Sequence, residues 1–123
     1  MNLSYLAASR ADAGRPVRVA LIGAGKFGSM FLSQVPTIAG LEVAVIADLD
    51  PDRARTACRN VGWDDARIKA TRFTDSGTDA AQSDVDVVVE ATGNPEAGIR
   101  HAEAAIAAGR HVVMVNVEAD VLA

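Results

Sequence analysis

From position 16 onward, short apolar runs rich in β-branched residues alternate with stretches of helical spacing. Residues 17–22 (VRVALI) form the first run and predict a buried strand. The turn Gly23-Ala24-Gly25-Lys26-Phe27-Gly28 follows, and Phe27, Met30, Phe31 and Gln34 then recur at helical intervals over 27–35. Pro36 closes that helix. A second strand, 41–47, ends on Asp48. Asp50 and Pro51 suit the N-cap and first position of a helix that runs to about residue 60 and stops near Gly62.

The next segment carries weaker signals. We expect a loop from Asp64, a short strand at 68–73, and a turn or two of helix within 75–82. Residues 85–90 (VDVVVE) are another buried strand, and Ala91-Thr92-Gly93-Asn94-Pro95 is a turn. Pro95 opens a helix through Ala108, with Gly109 in the C′ position. Residues 111–116 make the fifth strand, and 118–123 read as the start of a helix.

Strands alternating with helices imply parallel pairing through right-handed crossovers. The expected fold is α/β, a doubly wound parallel sheet of the Rossmann type with five strands in the order 3-2-1-4-5. Residues 16–123 would be this domain, stopping within an element and lacking a substrate domain. Leu3, Leu6, Ala7 and Arg10 lie at helical spacing, so residues 1–15 are expected to be a short leading helix or arm.

Composition narrows the function classes. Half of the residues are apolar, which is ample for one packed core. The formal charge of −4 supplies no basic field for nucleic acid or an anionic membrane. No apolar run approaches the roughly 20 residues that cross a bilayer, and no secretory signal opens the chain. Cys58 is the only cysteine, so an internal disulfide is impossible, and a cytoplasmic setting is expected. His101 and His111 are too few to suggest a metal cluster, and each reads as structural. Cys58 reads as a helix-packing residue.

The glycine turn carries the first chemical signal. It leaves a buried strand and opens a helix, the context in which backbone amides and a helix N-terminus hold a pyrophosphate. Gly23 would permit the tight turn, Gly25 the approach of the phosphates, and Gly28 close helix–strand packing. Asp48 lies 20 residues beyond Gly28, at a strand end where an acid accepts the ribose hydroxyls of an adenosine. A carboxylate there leans towards NAD over NADP; its alternative role is a helix cap or turn former, in competition with Asp50. Arg53 and Arg55 are nearby cations able to tolerate NADP, but they read more readily as solvated faces of a surface helix. Thr92 and Asn94 offer polar groups to a cofactor, or serve only to cap. Lys26, counted with Ala24 and Phe27 among the cofactor-binding residues of the turn, could sit near the phosphates, though it reads more readily as solvent-facing. Glu90 would face the cofactor or be tied up by its turn. No nucleophile triad or acid–base carboxylate pair is evident.

The segments VRVALIGAGKFG, VAVIADLDPDRA and VEATGNPEAGIRHAEAAIAAGRHVVMVNVEADVLA resemble the N-terminal domain of homoserine-dehydrogenase-like NAD(P)-dependent oxidoreductases. Within that group they look most like bacterial members carrying a C-terminal SAF domain, some of which act as 1-deoxy-D-xylulose 5-phosphate reductoisomerase-like enzymes. The resemblance implies that Gly23, Gly25, Gly28 and Asp48 contact the dinucleotide, with Ala91, Thr92 and Gly93 towards its nicotinamide end. Asn116 matches the Asn of an Asn-Lys pair, but Val117 replaces the Lys, which puts homoserine oxidation in doubt. The reductoisomerase-like members imply NADPH, against the NAD lean of Asp48.

Two functions remain at this point. The first is the cofactor half of a hydride-transferring oxidoreductase whose small-molecule substrate is held by a further domain, in a homo-oligomeric full-length protein. The second is a non-catalytic NAD(P)-sensing module. A flavin-binding half is a weaker third reading, disfavoured by the VEATGNP turn.

Overall fold

β1 (Val17–Ile22) runs through the middle of a five-stranded parallel sheet, flanked by β2 (Leu41–Ala47) and β4 (Val87–Glu90). β3 (Arg72–Thr74) pairs with β2, and β5 (His111–Met114) pairs with β4, giving the order β3-β2-β1-β4-β5. This is the doubly wound order read from the sequence. The computed structural model describes residues 16–115. The expected leading helix at 1–15 and helix start at 118–123 lie outside the described residues.

Alternation along the strands distributes side chains to two cores. Val17, Val19 and Leu21 join one core with Leu32 and Val35, on the face covered by α1 (Lys26–Gln34) and α2 (Pro51–Asn60). Ala20 and Ile22 join the other with Ala80, Ala81 and Ala105, beneath α4 (Gly77–Gln82) and α5 (Pro95–Ala107). Alanines on α4 and α5 let both helices lie close to the sheet, so a chain poor in aromatics still fills this layer. Trp63, the single tryptophan, is buried in the first core, and its indole N–H donates to the Leu32 carbonyl at 2.8 Å. That bond ties the segment after α2 to the last turn of α1.

Caps set most helix starts. Asp50 accepts from the amides of Asp52 and Arg53 at 3.1 and 3.2 Å, with Pro51 at the first position of α2. Asn94 accepts from the Ala97 amide at 3.0 Å and starts α5. Gly109, with φ 79°, takes the left-handed conformation just beyond that helix.

Two boundaries differ from the sequence reading. The strand expected at 68–73 is divided: α3 (Asp65–Ala70) takes its first half, and β3 begins only at Arg72. Asp64 accepts from the Arg67 amide at 2.8 Å and so nucleates a six-residue helix whose one buried side chain is Ile68. One buried position produces no period, which is why the pattern was silent there. β4 begins at Val87 rather than at residue 85: the Val85 amide turns back to the Ser83 carbonyl at 2.9 Å, and the Asp86 carboxylate accepts from the Arg18 amide at 2.9 Å.

Cys58 is fully buried on α2, as the packing reading required. Burial pushes its thiol up from an ordinary value near 9 to about 11. The unfolded chain therefore ionises this group first. The associated stability is intact below pH 9 and is lost as pH rises towards 11. Cys58→Ala should lose less stability across that window than the parent chain in urea titrations. Iodoacetamide should label Cys58 slowly in the native chain at pH 8 and rapidly in urea.

Candidate functional site

At the carboxyl ends of β1 and β4 the chain departs to opposite faces of the sheet, and a crevice of about 460 Å³ opens there. Its size falls in the usual range for small-molecule sites. The glycine turn, Asp48, the turn after β4 and the first turns of α4 and α5 supply its walls.

The three glycines of the turn have separate physical reasons. Gly23 has φ 95°, and a Cβ there would lie 2.9 Å from the Ala91 carbonyl carbon and oxygen. It therefore lets the turn after β1 press on the turn after β4. A Cβ on Gly28 would strike the Gly23 carbonyl oxygen, so this glycine lets α1 start directly over the turn. Gly25 is different: a Cβ there would meet no atom of the described residues within 4 Å. Gly25 is also the N-cap of α1, with no side-chain cap and no acidic residue in the first turn. The helix thus presents an uncapped, electropositive N-terminus to the crevice.

The other expected residues fall into distinct roles. Ala24 is buried, and its amide approaches Asp48 Oδ1 at 3.4 Å. Lys26 is the first residue of α1. Phe27 is half-buried and packs against the core. Ala91 and Thr92 line the crevice, and Gly93 holds φ 71° in the turn beside them. Asn116 lies outside the described residues.

Asp48 sits in the crevice wall with only 5% of its side chain exposed. Asp50, not Asp48, caps α2, whereas Asp48 meets the turn-forming alternative, its Oδ2 accepting from the Asp50 amide at 3.3 Å. Arg53 departs from the sequence reading of a solvated surface residue. Its Nε donates to Asp48 Oδ2 at 3.0 Å and its Nη2 to Oδ1 at 2.9 Å. The hydrogen bond to Asp48 and that carboxylate's charge raise the Arg53 guanidinium above its ordinary range. Arg55 does face outward, pairing with Asp52 at 2.7 Å and stacking over the Phe73 ring.

A second buried acid was placed only loosely by the sequence. Glu90, 2% exposed at the end of β4, accepts from the Thr92 amide at 2.9 Å and the Thr92 hydroxyl at 2.5 Å. Its other oxygen bonds His101 Nδ1 at 2.5 Å, across from α5. Three donors offset the cost of burying the carboxylate. The far side of the His101 ring packs on Gly77, where any Cβ would overlap the imidazole. Glu90 is thus tied up by its turn, and the turn is fixed to α5 and α4 through His101. Sequence reasoning paired neither acid with its partner. The one available signal was an acid at each strand end with a basic residue on the helix that follows.

Among the described residues no group of three or more His, Cys, Asp or Glu is arranged to hold a metal ion, and no helix is long and apolar enough to cross a membrane.

Comparison with known proteins agrees with this geometry. The family described as the GFO/IDH/MocA oxidoreductases, with an NAD-binding Rossmann fold, matches residues 17–114. Inositol 2-dehydrogenase from Acidothermus cellulolyticus is 37% identical over 82 residues, which are 66% of this chain and 22% of that protein. Myo-inositol dehydrogenase from Lactobacillus casei, solved with NAD(H) and myo-inositol, superposes with a TM-score of 0.64 at 21% identity. That match covers 80% of this chain and 28% of the other. Apo scyllo-inositol dehydrogenase from the same organism gives 0.65 at 19% identity, covering 81% and 28%. These two structures bear on the fold alone. The chain spans less than a third of the length of these relatives. The narrower likeness to homoserine-dehydrogenase-like proteins with a SAF domain finds no support in these comparisons. A glycine turn and a strand-end acid of the kind that partly carried it recur across dinucleotide-binding folds and do not specify substrate chemistry. The chain belongs to the GFO/IDH/MocA oxidoreductase family and carries its NAD-binding Rossmann fold.

The buried His101 contact yields a double-mutant test. Gly77→Ala should cost about 1–3 kcal/mol by overpacking the ring. His101→Ala should cost a similar amount, about 1–3 kcal/mol, by leaving Glu90 short of a donor. In urea denaturation the double variant should lose clearly less than the sum, because the alanine methyl then has space.

Proposed function

We propose that this member of the GFO/IDH/MocA oxidoreductases binds NAD in the crevice above β1 and β4, as the cofactor half of an enzyme that oxidises a small alcohol or reduces the corresponding carbonyl. The observation that carries the reading is Gly25. Gly23 and Gly28 answer to contacts within the chain, whereas nothing among the described residues requires Gly25 to lack a side chain. An absent Cβ beside an uncapped helix N-terminus is what close approach of a pyrophosphate demands.

The residues present fit that cofactor. The amides at the start of α1 would hold the pyrophosphate, and Asp48 would accept the adenosine ribose hydroxyls. Ala91, Thr92 and Gly93 would border the nicotinamide half, with the Glu90 bonds fixing where Thr92 stands. When bound, NAD supplies the hydride acceptor, and the protein supplies position and dryness. Identity to an inositol 2-dehydrogenase supports a secondary alcohol of a small polyol as the substrate class. Residues that hold such a substrate and move its proton would come from a further domain of the full-length protein, as would contacts between subunits.

Calorimetric titration of the 123-residue chain with NAD and with NADP tests the binding claim, and heat with neither would end it. Asp48→Ala should weaken NAD by about tenfold, the scale of a lost charge-assisted hydrogen-bond pair. NADP should weaken less. Equal loss for both would remove the ribose assignment.

A further inference from the structure

The turn after β4 carries a hydroxyl whose hydrogen-bond direction is already decided. Thr92 is exposed and lines the crevice. A hydroxyl has one proton and two lone pairs. The Thr92 proton goes to Glu90 Oε1 at 2.5 Å, and one lone pair accepts from the Asn94 amide at 3.2 Å. Among the described residues only the second lone pair is left over. Thr92 can therefore accept a hydrogen bond from a ligand, but it has no proton to give one.

Glu90 imposes that direction. As a carboxylate it can only accept. Its Oε1 takes the Thr92 amide at 2.9 Å as well as the hydroxyl, so one oxygen holds both donors of that residue. Its Oε2 bonds His101 Nδ1 at 2.5 Å, which keeps the carboxylate from turning. His101 is itself confined by Gly77 at the start of α4. An unpartnered hydroxyl rotates its proton to suit whatever ligand arrives. This one would first have to give up a charge-assisted bond to a buried acid, about twice as strong as a neutral one.

We propose that Glu90 is a positioning residue for the cofactor: acting through Thr92, it makes the turn after β4 an acceptor that selects a hydrogen-bond donor on the nicotinamide half. The proposal rests on NAD occupying the crevice. Two kinds of group on that half qualify, the hydroxyls of its ribose and the NH2 of its carboxamide. A carboxamide can present its oxygen or its nitrogen, and against Thr92 only the nitrogen is accommodated. His101 holds the orientation of Glu90.

The test is calorimetric titration of the 123-residue chain and its variants with ADP, ADP-ribose, NAD and the acetylpyridine analogue of NAD. The analogue has a methyl ketone in place of the carboxamide and so lacks the NH2. Thermal melts verify the fold of each variant. Thr92→Val should weaken NAD by about three- to tenfold, the scale of one hydrogen bond, and leave ADP unchanged. A matching loss with ADP-ribose identifies a ribose hydroxyl as the donor. A loss with NAD alone identifies the carboxamide. Glu90→Leu, which releases the Thr92 proton, should give the same ligand profile with Thr92 still present. Glu90→Gln should restore the parent affinity, because its carbonyl end can stay on Thr92 while its NH2 turns to His101. His101 must then accept, so its ring proton should move from Nδ1 to Nε2 in nitrogen-15 spectra. An unchanged NAD affinity in Thr92→Val, or an equal loss of ADP, would overturn the proposal. So would a loss shared by NAD and the analogue but not by ADP-ribose, since no donor would then be read. A Glu90→Gln variant that folds but binds NAD as weakly as Thr92→Val would overturn it as well, whether or not Glu90→Leu folds. If the parent chain binds no NAD, the cofactor reading itself fails, and the role of Glu90 falls with it.

Discussion

The close approach of two turns governs this domain. At the ends of β1 and β4 the chain leaves for opposite faces of the sheet, and the Gly23 backbone rests directly on Ala91. A side chain at Gly23 would hold the turns apart, and one at Gly28 would lift α1 off the first turn. Both contacts are backbone against backbone, so neither can be relieved by a change of rotamer. Strand order creates the crevice, and these two missing methyl groups set its width.

Around that contact the site is built from two acids treated alike. Asp48 ends β2 and Glu90 ends β4; both are buried, and each is held by a basic residue from the following helix. They differ in what their partners can do. His101 is enclosed by Gly77 and Glu90, so that pair is a fixed strut between the turn and two helices. Arg53 reaches Asp48 from solvent, so that pair can open. One acid is sealed inside the wall, and the other keeps a partner that is itself exposed.

Much of this arrangement was legible in the sequence. The β-branched runs gave β1, β2 and β4 because buried parallel strands leave a nearly unbroken apolar signature, and the alternation with helices gave the order, whereas β3, with no buried residue, was only partly located. Asp50-Pro51 and Asn94-Pro95 announced two helices through cap chemistry that acts within a few residues. The glycine turn and Asp48 were visible through spacing. What escaped was chemistry between elements. α3 has a single inward side chain and so no period to detect. Arg53 looked like surface because it is mostly exposed, yet exposure of a long side chain says little about where its tip bonds. The partnership of Glu90 with His101 depends on how α5 docks over the sheet, and on Gly77 leaving room for the ring. The narrower family resemblance lacks support for a related reason: a dinucleotide-binding fold is shared by many substrate specificities.

The indole of Trp63 adds a consequence of another kind. It is anchored to the Leu32 carbonyl near the end of α1, whereas the crevice lies at the helix's beginning. As the lone tryptophan of the chain, it is a natural optical label placed about one helix length from the cofactor site. Its emission reports whether the first core is intact, from a position no cofactor in the crevice would touch. Folding of this core can accordingly be followed in the unmodified molecule, apart from changes at the crevice.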